Sequence, residues 1–213
     1  MPANTIHPLP VMQVDGMTHE PGAAAGRLES GEPSDAQLVA RTCAGDAGAF
    51  DALVRRHYRA AFAVALAHMG NRADAEDVCH DAFVRAADRL EDCRSPDRFV
   101  QWLCAIVRNH ARNTLERNNV RRAASLEHDT AASGDDSARA AELSELRARL
   151  EEALAALTPA QREVVLLHDL DGWTHESIAE SLGTSAGMSR QHLFHARKRL
   201  RALLGPGAKE SLR

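Results

Sequence analysis

Arg190, Gln191, His192, His195, Arg197 and Arg201 fall within one short stretch near the end of the chain. Arginine and glutamine carry the donors and acceptors that read base edges. Arginines farther along a helix meet phosphates. All six lie off the stripe of Leu193, Ala196, Leu200 and Leu203, whose steps of three and four mark one helical face. Just upstream, Ile178, Ala179 and Leu182 mark the apolar face of a shorter helix. Thr174 supplies its N-cap, Gly183 its left-handed stop, and Thr184 and Ser185 the next N-cap. Gly205 and Pro206 end the second helix. Two helices on a tight turn, the second one basic, read as a helix-turn-helix. In that motif the second helix enters the major groove, and its first turns reach base edges. A solvated amphipathic helix explains the pattern equally well, so the rest of the chain must decide.

Two further groups stand out. One helical pattern turns Val78, Cys79, Ala82, Phe83, Ala86 and Leu90 inward and leaves Glu76, Asp77, His80, Asp81 and Arg85 on the other face. A polar loop follows, with Ser95 expected as N-cap and Pro96 at the first helical position. The next helix buries Phe99, Trp102, Leu103, Ile106 and His110. It runs into a basic island of Arg108, Arg112, Arg117, Arg121 and Arg122. Trp102 shares the face of Phe99 and Ile106, which assigns it to the core rather than to base stacking.

The chain has 213 residues and a net charge of -4, yet its positive charge is concentrated. Residues 107–122 hold five arginines against Glu116, and residues 190–213 hold seven basic residues against one acid. Local basic faces, rather than net charge, are the footprint of phosphate binding. Between the islands, residues 123–142 are small, acidic and aperiodic, as a linker is. Residues 1–33 are rich in Pro, Gly, Ala and Met without periodicity and are expected to be a disordered extension; residues 206–213 form a short tail. No segment alternates as a strand does. The expected fold is all-α, with two small helical domains (34–122 and 143–205) on a flexible linker. A pattern of Leu143, Leu146, Leu150, Leu154 and Leu157 opens the second, followed by a capping box at Thr158 and Gln161.

No apolar run is long enough to span a bilayer and no export leader is evident, so cytoplasmic localisation is expected. The four cysteines contain no C-x-x-C pair. Their apolar settings predict buried free thiols with no metal and no cofactor. An enzyme is not expected. Adjacent Glu76 and Asp77 cannot face each other on one helix, and no catalytic triad order, phosphate loop or H-E-x-x-H is present.

Four stretches, "GDAGAFDALVRRHY", "ADAEDVCHDAFVRA", "FVQWLCAIVRNHARN" and "LTPAQREVVLLHDLDGWTHESIAESLG", resemble in that order the extracytoplasmic-function (ECF) sigma factors of bacterial RNA polymerase. The resemblance covers about residues 35–118 and 143–204. It implies a promoter-recognition factor that binds core polymerase and assists promoter opening, with a separate anti-sigma partner. The alternative is a helix-turn-helix regulator without sigma activity, which leaves the first half unexplained. The resemblance places Glu76, Asp77, His80 and Asp81 on the polymerase-docking face, with His80 where the family usually has Gln. It places Arg94, Asp97, Arg108, Asn109 and Arg112 at the minus-ten promoter element. It places Arg190, Gln191, His192, Phe194, His195, Arg197 and Arg201 at the minus-thirty-five element. Met188 stands where the family has Thr, and Ser189 at a usually apolar inter-helix position. Either the packing there is looser or Met188 fills the gap.

Overall fold

The computed structural model describes residues 32–124 and 138–205. The helices are α1 (Asp35–Cys43), α2 (Ala47–Met69), α3 (Arg72–Asp88), α4 (Phe99–Ala124), α5 (Ala138–Ala155), α6 (Pro159–Val165), α7 (His175–Leu182) and α8 (Ala186–Leu204). Short 3-10 turns, Leu90–Asp92 and Pro96–Arg98, join α3 to α4. A π turn, Leu166–Leu170, continues α6. No strand occurs among the described residues. The expected extension and tail lie almost wholly outside those residues. So does most of the expected linker, but α5 begins at Ala138, inside its span. Its first residues, Ala-Arg-Ala-Ala, are strong helix formers without an apolar rhythm, which hides them from periodicity.

Local chemistry sets most boundaries. Ser34 and Gln37 close a reciprocal capping box on α1, and Thr158 and Gln161 do the same on α6. Asp46, Asn71, Thr174 and Ser185 each accept a backbone N–H at the start of α2, α3, α7 and α8. Such a cap is worth about 1 kcal/mol. Ser95 makes no side-chain cap bond; a 3-10 turn intervenes before α4. Gly183 takes φ 64° and ψ 38°, the left-handed stop that turns the chain from α7 to α8.

In the first half α2, α3 and α4 pack around Leu53, Val64, Cys79, Phe83, Phe99, Leu103 and Val107. Asp35 staples α1 to α2, with Arg56 Nη1 at 2.7 Å and His57 Nε2 at 2.8 Å. Burial works against the Asp35 charge, but His57 and Arg56 outweigh it and hold the carboxyl below its usual range. In the second half Leu157, Val164, Leu167, Trp173, Ile178, Leu193, Ala196 and Leu200 form the core. Of the expected stripe residues, Leu146, Leu150 and Leu203 are instead exposed, as is Leu170 at the end of the π turn. Trp102 is half-buried, its ring 5.8 Å from that of Phe99.

Cys43 departs from the expected burial, because it ends α1 at the surface. The other three thiols are buried, and burial pushes Cys79 and Cys104 up to about 12. The thiolate is the reactive form, so these two are inert at neutral pH. A thiol reagent should therefore modify one cysteine in the folded chain and four after denaturation. Equal labelling rates at Cys43 and Cys104, read by peptide mass, would contradict this core.

Candidate nucleic-acid interface

Helix α3 presents Asp77, His80 and Asp81 to solvent, with Glu76 half-buried beside them. Two of the four carry internal partners. Glu76 is held by Arg72 Nε at 2.7 Å, and Asp81 Oδ2 lies 3.0 Å from His110 Nε2 on α4. The opposite side of α3 is consumed by core packing, which leaves this face to solvent.

The five residues expected at the minus-ten element divide. Arg94, Asp97, Asn109 and Arg112 are exposed. Arg108 is not free. Its Nε donates to Glu163 Oε1 at 2.9 Å, and its Nη2 donates to the Ser181 hydroxyl. Glu163 is 1% exposed and also faces His68 Nε2 at 3.3 Å. Arg162, beside it in sequence, donates to the carbonyls of Ala67 and Leu154, both at 2.7 Å. Arg59 Nη2 reaches the Leu170 carbonyl at 2.6 Å, and Arg98 pairs with Glu180. Besides a shared apolar cluster, the two halves thus meet through charged side chains of α2, α4 and the Pro96–Arg98 turn that reach α6, α7 and the π turn, and through Arg162 of α6, which reaches α2. None of these partners carries a local sequence signal: Arg162 and Glu163 read as the solvated charges of a short helix.

On α8, Arg190, Gln191, Phe194, His195 and Arg201 are exposed, and His192 and Arg197 are half-buried. Phe194 is 61% exposed, its ring edge-on to His195 at 5.5 Å. Arg190 Nη2 touches Glu176 Oε1 at 2.8 Å, a surface pair worth at most about 1 kcal/mol and easily exchanged. Arg197 is different. Its Nε and Nη2 grip the two oxygens of the buried Asp169 at 3.0 and 2.5 Å. That hydrogen bond raises the Arg197 pKa and ties α8 to the π turn. Asp169 also meets His168 Nδ1 at 2.9 Å. Lys198 and Arg199 are further exposed cations on this helix, outside the expected set.

Met188 does not fill the space beside Ser189; it is 43% exposed. Ser189 is fully buried, and its hydroxyl lies 2.9 Å from His175 Nδ1. A polar pair therefore replaces the apolar contact, so the packing is not loose. Burial, then His168, whose ring stacks on His175 at 4.7 Å, and Arg190 hold the His175 pKa below its usual value. A neutral imidazole suits a buried hydroxyl partner.

Residues 53–121 match the family described as Sigma-70 region 2, and residues 147–200 match Sigma-70, region 4. The ECF RNA polymerase sigma factor SigM of Mycobacterium tuberculosis (strain ATCC 25618 / H37Rv) is 33% identical over 82% of this chain and 86% of its own. The RNA polymerase sigma factor NccH of Alcaligenes xylosoxydans xylosoxydans is 34% identical over 81% of this chain and 96% of its own. Among solved structures, CnrH in complex with the cytosolic domain of CnrY superposes with a TM-score of 0.60 at 31% identity, covering 81% of this chain and 97% of that one. The order of the helices, the basic second helix of the helix-turn-helix and these likenesses agree: the chain belongs to the ECF group of RNA polymerase sigma factors.

Proposed function

We propose that the chain binds core RNA polymerase through Glu76, Asp77, His80 and Asp81 and directs it to promoters. The observation that supports this reading is the acidic outer face of α3, opposite a fully committed core face. The phosphoryl transfer of transcription belongs to the polymerase. Arg94, Asp97, Asn109 and Arg112 engage the minus-ten element, and Arg190, Gln191, His192, Phe194, His195 and Arg201 the minus-thirty-five element. The exposed Phe194 ring suits contact with a thymine methyl group. CnrH is found in complex with the cytosolic domain of CnrY, so a separate anti-sigma protein is proposed here too.

Reversing charge at Asp77 should weaken assembly with core polymerase about tenfold or more while circular dichroism is unchanged. Native-gel assembly equal to that of the unaltered chain would remove this face from the reading. On α8, Arg190→Ala should cost on the order of 1–3 kcal/mol at one promoter position and relax the preference there. Arg201→Ala should weaken all sequences alike and lower the salt slope by about one counterion. Both are measured with holoenzyme at fixed salt. A uniform loss from Arg190→Ala would make that residue a phosphate anchor only.

The packed halves bear on this function through distance. The two promoter elements are separated by about 25 base pairs, or ~85 Å at about 3.4 Å each. A compact chain of this length has a radius of gyration of only about 17 Å. Both readers therefore work together only when the halves part, and parting also releases Arg108 for the minus-ten element. Thirteen residues, 125–137, connect α4 to α5 and can reach at most ~45 Å when extended, which with the domains themselves is enough. Glu163→Gln should raise the affinity of the polymerase-free chain for a minus-ten single strand severalfold, measured by fluorescence anisotropy. An unchanged affinity with an intact helical spectrum would contradict the blocking of Arg108.

A further inference from the structure

We propose that His175 is a proton-sensitive positioning residue for α8, so that acidification removes discrimination of the minus-thirty-five element while attraction to DNA phosphates is kept. The inference rests on the minus-thirty-five reading of α8. Ser189 comes directly before Arg190 and Gln191, which open the exposed face of that helix. Its hydroxyl is fully buried, and its partner is His175 Nδ1 at 2.9 Å. The bond therefore ties α7 to α8 beside the first turns, where base edges are read.

A second histidine lies against the ring. The imidazoles of His168 and His175 are 4.7 Å apart and 28° from parallel. His168 Nδ1 lies 2.9 Å from Asp169 Oδ1; a carboxylate only accepts, so this nitrogen is the donor. The π turn thus fixes His168 through the same acid that Arg197 grips. From α8, Arg190 and Arg197 both add positive charge near His175. Within α7, Glu176 works the other way, but it is exposed and shared with Arg190 at 2.8 Å. Helix α4 and the Pro96–Arg98 turn meet α7 through Arg108 at Ser181 and Arg98 at Glu180, more than one turn past His175.

Burial first, then the like charges around it, oppose a proton on His175 and lower its pKa. The neutral ring is therefore the form that the fold favours. Its contribution is complete above the ordinary value of 6.5 and is lost as the pH falls below it. A protonated ring is driven toward water, which it can reach because His175 is only half-buried. Ser189 cannot follow, since it has no exposed surface. Its hydroxyl is left without a partner in a buried site, which is costly, and the cost is relieved when α8 shifts against α7. The reading residues move with the helix. The arginines of α8 stay charged throughout, so attraction to phosphates persists.

The test binds holoenzyme to two promoter fragments, one intact and one with a scrambled minus-thirty-five element, from about pH 8 to about pH 5.5 at fixed salt. The ratio of the two affinities is the discrimination, and it cancels any effect of pH on the polymerase itself. For the unaltered chain the ratio should be constant above about pH 7 and fall severalfold by about pH 5.5. His175→Asn places an amide where the imidazole has Nδ1 and does not titrate, so its ratio should stay high at every pH. His175→Ala should discriminate poorly at every pH. His168→Asn keeps a donor toward Asp169 but removes the second ring, so the fall should move to higher pH. A ratio that stays constant for the unaltered chain overturns the inference. So does a fall that His175→Asn retains, since His192 or His195 would then carry it. Should His175→Asn fail to discriminate at any pH, His168→Asn decides, and an unmoved midpoint overturns the inference. A ratio near one for the unaltered holoenzyme at about pH 8 would instead remove the minus-thirty-five reading, and this inference with it.

Discussion

Glu163 is a carboxylate with almost no exposure to water, and the arrangement of the two halves depends on how it is satisfied. Burying an ion costs several kcal/mol unless partners replace its hydration. Arg108 from α4 and His68 from α2 supply them, and both come from the other half of the chain. Removing one partner of such a pair costs about 3–5 kcal/mol, because the remaining charge stays buried. The contact between halves thus includes a polar, conditional part beside the apolar cluster that runs through both. It holds while Glu163 is enclosed, and its groups find water again when the halves part.

The same logic governs the helix-turn-helix. Asp169 is held by Arg197 and His168, and Ser189 is paired with His175. These bonds set the roll of α8 about its axis and so decide which side chains face outward. Arg197 is spent on this orientation, whereas Arg190, Gln191, Phe194 and Arg201 remain presented. In the proposed reading, what α8 offers to promoter DNA thus depends on the bond between Arg197 and Asp169. Preorganising a reader in this way lowers the ordering cost of binding.

Much of the fold is legible in the sequence because it is written locally. The core faces of α2 and α3, the capping box at Thr158 and Gln161, and the stop at Gly183 follow from periodicity and turn chemistry. The start of α5 at Ala138 is not legible, since alanines and arginines form helices without announcing a buried face. Leu146, Leu150 and Leu170 share helical spacing with buried neighbours, yet nothing among the described residues covers them. For the sites, the sequence shows which residues of α3 and α8 lie off the apolar stripe, and only the family resemblance attaches roles to them. The pairings of Arg108 with Glu163 and of Arg197 with Asp169 were not found. They join residues 55 and 28 positions apart, and no local pattern carries that information.

In the polymerase-free chain Glu163 helps to hold the two halves together, and in the proposed function polymerase separates them. A distance measured by double electron–electron resonance tests this most directly. One spin label sits on the exposed Cys43 of α1 and another on a cysteine replacing the exposed Gln191 of α8. The account predicts a narrow distribution below roughly 45 Å, the diameter of a compact chain of this length, for the free protein. It predicts a shift to longer distances by tens of ångströms, on the scale of the ~85 Å promoter spacing, on adding core polymerase. A broad, long-distance distribution in the free chain, or a short one that polymerase leaves unchanged, would contradict it.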